Sequence, residues 1–207
     1  MFRTIGLAFA ATAITVTPAT TAIAGGDSSP PAGSAFLSPA AAKASLGPWG
    51  LGHWDRVDGV PSGLRFDDSC APGLAPKSAS QVLRDREHPH LAEASIRSLI
   101  KSFDRASAAK RVKIDRAEQT RDCINDLPAR DRLVRGMKVT THSGAARVFG
   151  ADLGTGRASS KLEYIVVGRS GKAVELTAFH VYAQDTLSRS TLQDLAERML
   201  HRLHHAA

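Results

Sequence analysis

Eight histidines, two cysteines and a few adjacent acids are the residues with chemistry to offer, and their spacing limits what that chemistry is. His201 and His205 stand four apart, and His88 and His90 flank Pro89. A structural or catalytic zinc takes three or four protein ligands, and neither pair has a third nearby in sequence. No metal site is predicted. His201, His204 and His205 read instead as a solvated cationic face near a helix C-terminus, where the helix dipole favours positive charge.

Nucleophile signals are equally sparse. There is no G-x-S-x-G turn to expose a serine. Asp67-Asp68 beside Ser69-Cys70 offers two carboxylates, but adjacent residues of a strand point to opposite faces, so a loop ending at the cysteine is the better reading. The run Gly168-Arg169-Ser170-Gly171-Lys172-Ala173 contains the residue types of a phosphate loop in the wrong order. Such a loop needs G-x-x-x-x-G-K followed by Ser or Thr and then a helix, whereas Lys172 is followed by Ala173 and a β-rich run. It is read as a hairpin turn with Ser170-Gly171 at its tip. No cofactor motif is present, and none is expected.

That leaves binding. Arg147, Arg157, Arg169 and Lys172 fall on or beside predicted strand ends and loops, where a cation can reach solvent and meet a carboxylate or phosphate. His142 and His180 lie on predicted strands and are candidates to line the same cleft. The chain has a net charge of +7, which favours anionic partners such as cell-wall polymers or lipid head groups. Nucleic acid is not expected: basic residues alternate with acids, as in Arg84-Asp85-Arg86-Glu87, and only two Tyr and two Trp are available for stacking.

These residues need elements to carry them. Residues 1–24 have a single positive charge at Arg3, an apolar stretch from Ile5 to about Val16 and the ending Ala22-Ile23-Ala24, the layout of a signal peptide cleaved after Ala24. The apolar stretch is too short to span a bilayer, and no cysteine follows the cleavage site to take a lipid. A secreted protein, free in the extracellular or cell-wall space, is expected. In that compartment Cys70 and Cys123 read as one disulfide. Arg outnumbers Lys and Ala is abundant, a bias of GC-rich bacterial genomes.

Residues 25–35, rich in Gly, Ser and Pro, read as a disordered leader, and 36–207 as one domain. An Ala-rich helical piece follows Phe36, with Trp49, Trp54 and Phe66 as core anchors. The spacing of Leu91, Ala94, Ile96, Leu99, Ile100 and Phe103 predicts an amphipathic helix over about 90–103, and a second helix is predicted from about Ala106 to Asn125. Residues 137–143 and 146–153 then read as a hairpin turning at Ser143-Gly144. Residues 161–168 and 173–183 read as a longer hairpin in which Leu162, Tyr164 and Val166 share one face. The last helix shows a capping-box pattern at Ser190 and Gln193 and an apolar stripe of Leu192, Leu195, Ala196, Met199, Leu200 and Leu203.

The succession Phe36-Leu37-Ser38-Pro39, a Gly- and Trp-containing stretch, Cys70, a helical region, Cys123, the run 164–172 and a terminal amphipathic helix resembles the PknH-like extracellular sensor domains of actinobacteria. The resemblance covers roughly Phe36 to Leu203. It implies an α+β fold, a curved antiparallel sheet with packed helices in a single domain with one disulfide, and a cleft for an unidentified ligand. It brings no catalytic motif, and kinase members often carry two disulfides where this chain can form one. The function expected is a secreted, non-catalytic, sensor-like ligand-binding domain of the cell envelope. Its ligand, a small molecule or an anionic envelope component, is expected beside the 161–168 and 173–182 strands. A structural or protein-interaction domain of the envelope is the alternative, and an exported enzyme a more distant one.

Overall fold

The two longest described strands form the middle of the sheet. In the computed structural model, which describes residues 33–46, 53–57, 70–74, 78–85, 94–154, 160–183 and 186–206, the strands are β1 (Trp54–Val57), β2 (Ala79–Asp85), β3 (Ser95–Ser102), β4 (Arg132–Thr141), β5 (Gly144–Asp152), β6 (Ser160–Ser170) and β7 (Ala173–Ala183). They make one antiparallel sheet in the order β1-β2-β3-β7-β6-β5-β4. Helices α1 (Pro39–Leu46), α2 (Ala106–Asp126) and α3 (Arg189–Ala206) complete an α+β domain.

Both faces of the sheet are covered, so β6 and β7 are buried continuously from Leu162 to Gly168 and from Ala173 to His180. Alternation persists in which core each residue joins. Leu162, Tyr164 and Val166, with Phe179 and Val181 of β7, pack with the α3 stripe and with Leu46 of α1. Ile165 and Val167, with Val174, Leu176 and Ala178, pack under α2 and the segment Cys70–Leu74. The six predicted stripe residues of α3 are all buried, a burial contributing on the order of 10 kcal/mol. Trp54 is buried in the α3-side core; Trp49 and Phe66 lie outside the described residues, as do His88, His90 and the predicted cleavage site. Among the described residues burial begins at Ala35.

The predicted helix over 90–103 is corrected by β3. Ile96 and Leu99 enter opposite cores, and Ser95, Ser98 and Ile100 are buried as well. A central strand covered on both faces has apolar residues at odd and even positions, which erases the period-two signature and leaves spacings that imitate a helix. Pairing with β2 on one side and β7 on the other outweighs that local pattern.

The turns and the cap also move. The β4–β5 turn is His142-Ser143, with Thr141 opposite Gly144, so His142 is an exposed turn residue and not a strand residue. Gly144 is needed in β5 itself: its φ is +156° and a Cβ there would collide with the carbonyl oxygen of Arg169. Ser170 pairs with Ala173, so the β6–β7 turn is Gly171-Lys172, with Gly171 in the left-handed region at φ +52°. At the start of α3 the cap is Ser188, whose Oγ accepts the Thr191 N–H at 3.1 Å; Gln193 instead donates to Glu197 along the helix.

Cys70 and Cys123 are bonded, with Cα atoms 5.5 Å apart, fastening the α2 C-terminal turn to the 70–74 segment. Arg116 of α2 reinforces this by donating to the Leu74 carbonyl at 3.1 Å. The helix stops at Leu127 because Pro128 follows, which disfavours helical backbone at the residue before it.

Candidate functional site

Among the described residues an accessible concavity lies at the β4 edge of the sheet. Register shifts between Arg132 and Val134 and between Arg135 and Met137 lift β4 out of regular pairing, and Gly136 takes φ +103° between them. The strand thereby stands off from the start of α3 and leaves a groove of about 470 Å³. Leu133, Val134 and Met137 line it from β4, and Leu187 and Leu192 from the α3 side. Arg135 and Arg189, both exposed, border this apolar lining, and neither has an ion-pair partner among the described residues. The α3 approach is held in place by Tyr164, whose hydroxyl accepts the Leu187 N–H at 2.8 Å. Tyr164 has room because its neighbour is Gly150, where a Cβ would come within 2.8 Å of the ring. Burial raises the tyrosine pKa, against the pull of the Leu187 hydrogen bond, so the hydroxyl stays protonated.

The residues predicted from sequence are placed differently from one another. Arg147 of β5 donates to the Gly136 carbonyl at 3.0 Å, and Arg169 of β6 donates to the Gly171 carbonyl at 2.7 Å. These two come together: both sit on the α2 side of the sheet, and their charges act on Lys113 of α2. Lys172 is exposed in the neighbouring turn, and Arg157 lies outside the described residues. His142 is exposed with its Nε2 3.1 Å from Ser143 Oγ. His180 is buried and does not line an open cleft. Its Nε2 meets Glu163 Oε1 at 2.8 Å across the β6–β7 ladder, and Glu163 Oε2 accepts the Cys70 N–H at 3.0 Å. That carboxylate ties the disulfide segment to the sheet. The strands beside which the cleft was expected are the covered centre of the sheet, and the groove described here is at its edge.

A second buried carboxyl is on the opposite, α3-facing side. Glu175 is 1% exposed, and its Oε1 accepts a hydrogen bond from Thr177 Oγ1 at 2.9 Å. Thr177 Oγ1, having given its proton to Glu175, accepts from Ser98 Oγ at 2.8 Å. The other carboxyl oxygen has no hydrogen-bond partner among the described residues. Burial pushes the Glu175 pKa up to about 8, opposed by the Thr177 bond and by the charge of Arg202. Arg202 itself is committed elsewhere, donating to the Phe36 carbonyl at 2.8 Å and to Ser38 Oγ at 3.2 Å.

Among the described residues no three His, Cys, Asp or Glu side chains are grouped so as to hold a metal ion. His201 and His205 make an edge-to-face contact with ring centroids 4.5 Å apart. No described helix is long and apolar enough to cross a membrane.

Sequence reasoning missed Glu163, Glu175, Lys113, Arg135 and Arg189. The two glutamates carried a signal, an acid inside an otherwise apolar β-run, but on a one-sided sheet such acids simply face water. The cations carried none, since surface arginines and lysines are ordinary. No family model, no curated protein and no solved structure matches this chain.

Proposed function

We propose that the chain is a secreted, non-catalytic ligand-binding domain of the bacterial cell envelope, built on the curved-sheet plan of PknH-like sensor domains, and that it captures an amphiphilic anion. The observation that carries this reading is the β4–α3 groove, where an apolar lining is bordered by two arginines that have no ion-pair partner among the described residues. An acyl or other apolar chain matches Leu133, Val134, Met137, Leu187 and Leu192. A carboxylate or phosphate matches the guanidinium groups of Arg135 and Arg189, which present forked donors to such oxygens. The net charge of +7 adds long-range attraction for an anion, and export directed by residues 1–24 would bring the protein to where envelope lipids and polymers occur.

The same edge suggests the alternative of protein interaction, because β4 ends the sheet order and has backbone groups for a further strand. Its bulges and its cationic residues oppose strand addition, so small-ligand capture is the stronger reading.

The experiment is a thermal-shift series with dodecanoate, dodecyl phosphate and dodecanol against the parent chain and the groove variants Val134→Asp and Arg189→Gln. Ligand at 100 times its dissociation constant adds about 2.7 kcal/mol, or roughly 5 to 10 °C at this chain length. The anions should stabilise the parent more than the alcohol does, and both variants should lose the shift. Equal shifts in parent and variants would overturn the reading, and turnover of any ligand would replace it with an enzyme.

A further inference from the structure

Four of the chain's eight histidines gather at one end of the molecule. The C-terminal part of α3 supplies His201, His204 and His205, and the β4–β5 turn supplies His142. The imidazole centroids of His201 and His205 are 4.5 Å apart, those of His204 and His205 5.5 Å, and those of His142 and His204 6.4 Å. Helix periodicity assembles the α3 trio, because positions 204 and 205 are each one turn from 201. All three rings are exposed, while Leu200 and Leu203 enter the core.

These spacings are those of ligands to one metal ion. A metal–nitrogen bond of about 2.0–2.1 Å puts an imidazole centre roughly 3.2 Å from the metal, so two rings on one ion stand about 4.5 Å apart at a right angle and about 5.2 Å apart at the tetrahedral angle. The two pairs that share His205 fall at or near these values. His142 stands from His204 at a separation that only ligands on opposite sides of an ion reach, so it is left outside the set. In the conformation described the three nitrogens do not converge on one point, because the rings meet edge to face, at interplanar angles of 82° and 68°. Exposed side chains exchange rotamers freely, and turning the rings is all that convergence requires.

The surroundings favour a cation. His204 Nδ1 is 3.3 Å from the Oγ of Ser170, a residue 1% exposed. When Nδ1–H donates to that oxygen, Nε2 carries the lone pair, the arrangement in which a ligating histidine is oriented through its second nitrogen. The trio also lies at a helix C-terminus, whose unsatisfied carbonyls attract positive charge. Of the two arginines on this stretch of helix, Arg198 pairs with Asp194 at 2.7 Å and Arg202 donates to the Phe36 carbonyl at 2.8 Å.

We propose that His201, His204 and His205 form a site for a divalent copper or nickel ion, with water completing the coordination. The right angle implied by the His201–His205 spacing suits the tetragonal geometry of these ions, and imidazole donors bind copper most tightly among the divalent first-row metals. Magnesium and calcium, which take oxygen ligands, are excluded by the donor set. Both cysteines are bonded to each other, so no thiol competes for the ion. The site does not depend on the β4–α3 groove: His204 is about 18 Å along the helix from Leu192.

The test titrates the full oxidised chain with copper(II), nickel(II) and magnesium in a non-coordinating buffer, using calorimetry and, for copper, electron paramagnetic resonance. One tight equivalent with imidazole nitrogen hyperfine structure is expected, with copper bound more tightly than nickel and magnesium not bound. His201→Ala with His205→Ala should abolish the tight equivalent, and His204→Ala should weaken it roughly tenfold or more. These positions are exposed, so the metal-free variants should melt as the parent does. His142→Ala should leave binding intact. The inference is overturned by the absence of saturable one-to-one binding, by a tight equivalent that survives in the double variant, or by equal weakening in His142→Ala. Unchanged affinity in His204→Ala also overturns it, since a helix pair alone would then be capturing the ion adventitiously. Val134→Asp and Arg189→Gln should not alter the titration, so failure here and failure of the groove reading remain separate results.

Discussion

Glu175→Gln isolates what the buried carboxyl does to stability. In the folded protein its pKa is pushed up to about 8 from an ordinary 4.5, so between those values the folded state holds a proton that the unfolded chain has released. Stability must therefore fall as pH rises through this window; below about 4.5 the group is protonated in both states and costs nothing. At 1.36 kcal/mol per pKa unit, the penalty grows by about 4 kcal/mol between pH 5 and pH 8.5, an order-of-magnitude figure. Glutamine keeps the shape and the carbonyl that accepts from Thr177, and is neutral at every pH. Its amide meets the same unpartnered surroundings as Oε2 does now. Urea unfolding of parent and variant at pH 5 and 8.5 gives the double difference in which all other titrations cancel. Glu175→Gln should be near-neutral at pH 5 and more stable than the parent by several kcal/mol at pH 8.5. In melting temperature this is roughly 8 to 16 °C. A variant whose stability changes with pH just as the parent's does would show that the carboxyl is not held neutral, and the reasoning would be refuted.

Replacing both Cys70 and Cys123 by Ala opens a loop of sequence separation 53, worth roughly 4 kcal/mol in the chain-entropy account, so calorimetry should record a melting temperature lower by about 10 °C. Gly144→Ala forces a Cβ into the Arg169 carbonyl and should destabilise by roughly 3 kcal/mol in urea, whereas Gly171→Ala, with open space around it, should cost only the left-handed strain of about 1 kcal/mol. N-terminal sequencing of protein secreted by a bacterial host should begin at Gly25, and a start at Met1 would contradict the export signal.

Local pattern was sufficient where one face of an element is dry and the other wet, or where chemistry leaves a single choice. The α3 stripe is such a case, as is α2, whose limits fall within a residue of expectation because Pro128 stops it; the β6–β7 hairpin was legible for another reason, the glycine-containing turn between its two long runs. Two cysteines admit one intramolecular bond. Where an element is covered on both sides the pattern misleads, as in β3, and where a turn is set by a collision across the sheet, as Gly144 against Arg169, the local residues point one position away.

The sequence by itself determined an α+β domain with a C-terminal amphipathic helix, a central hairpin, a disulfide and a surplus of positive charge, because periodicity, covalent pairing and net charge are properties of the chain alone. Only the tertiary structure decided that the hairpin would be sealed, that an edge strand would supply the groove, and that Glu163, Glu175 and His180 would be interior groups. It alone put Arg147 of β5 and Arg169 of β6 on the sheet face under α2, where their charges act on Lys113. The physical reason is that burial and electrostatic proximity depend on which elements share a face, and strand order and helix placement are set by contacts between segments far apart in the chain.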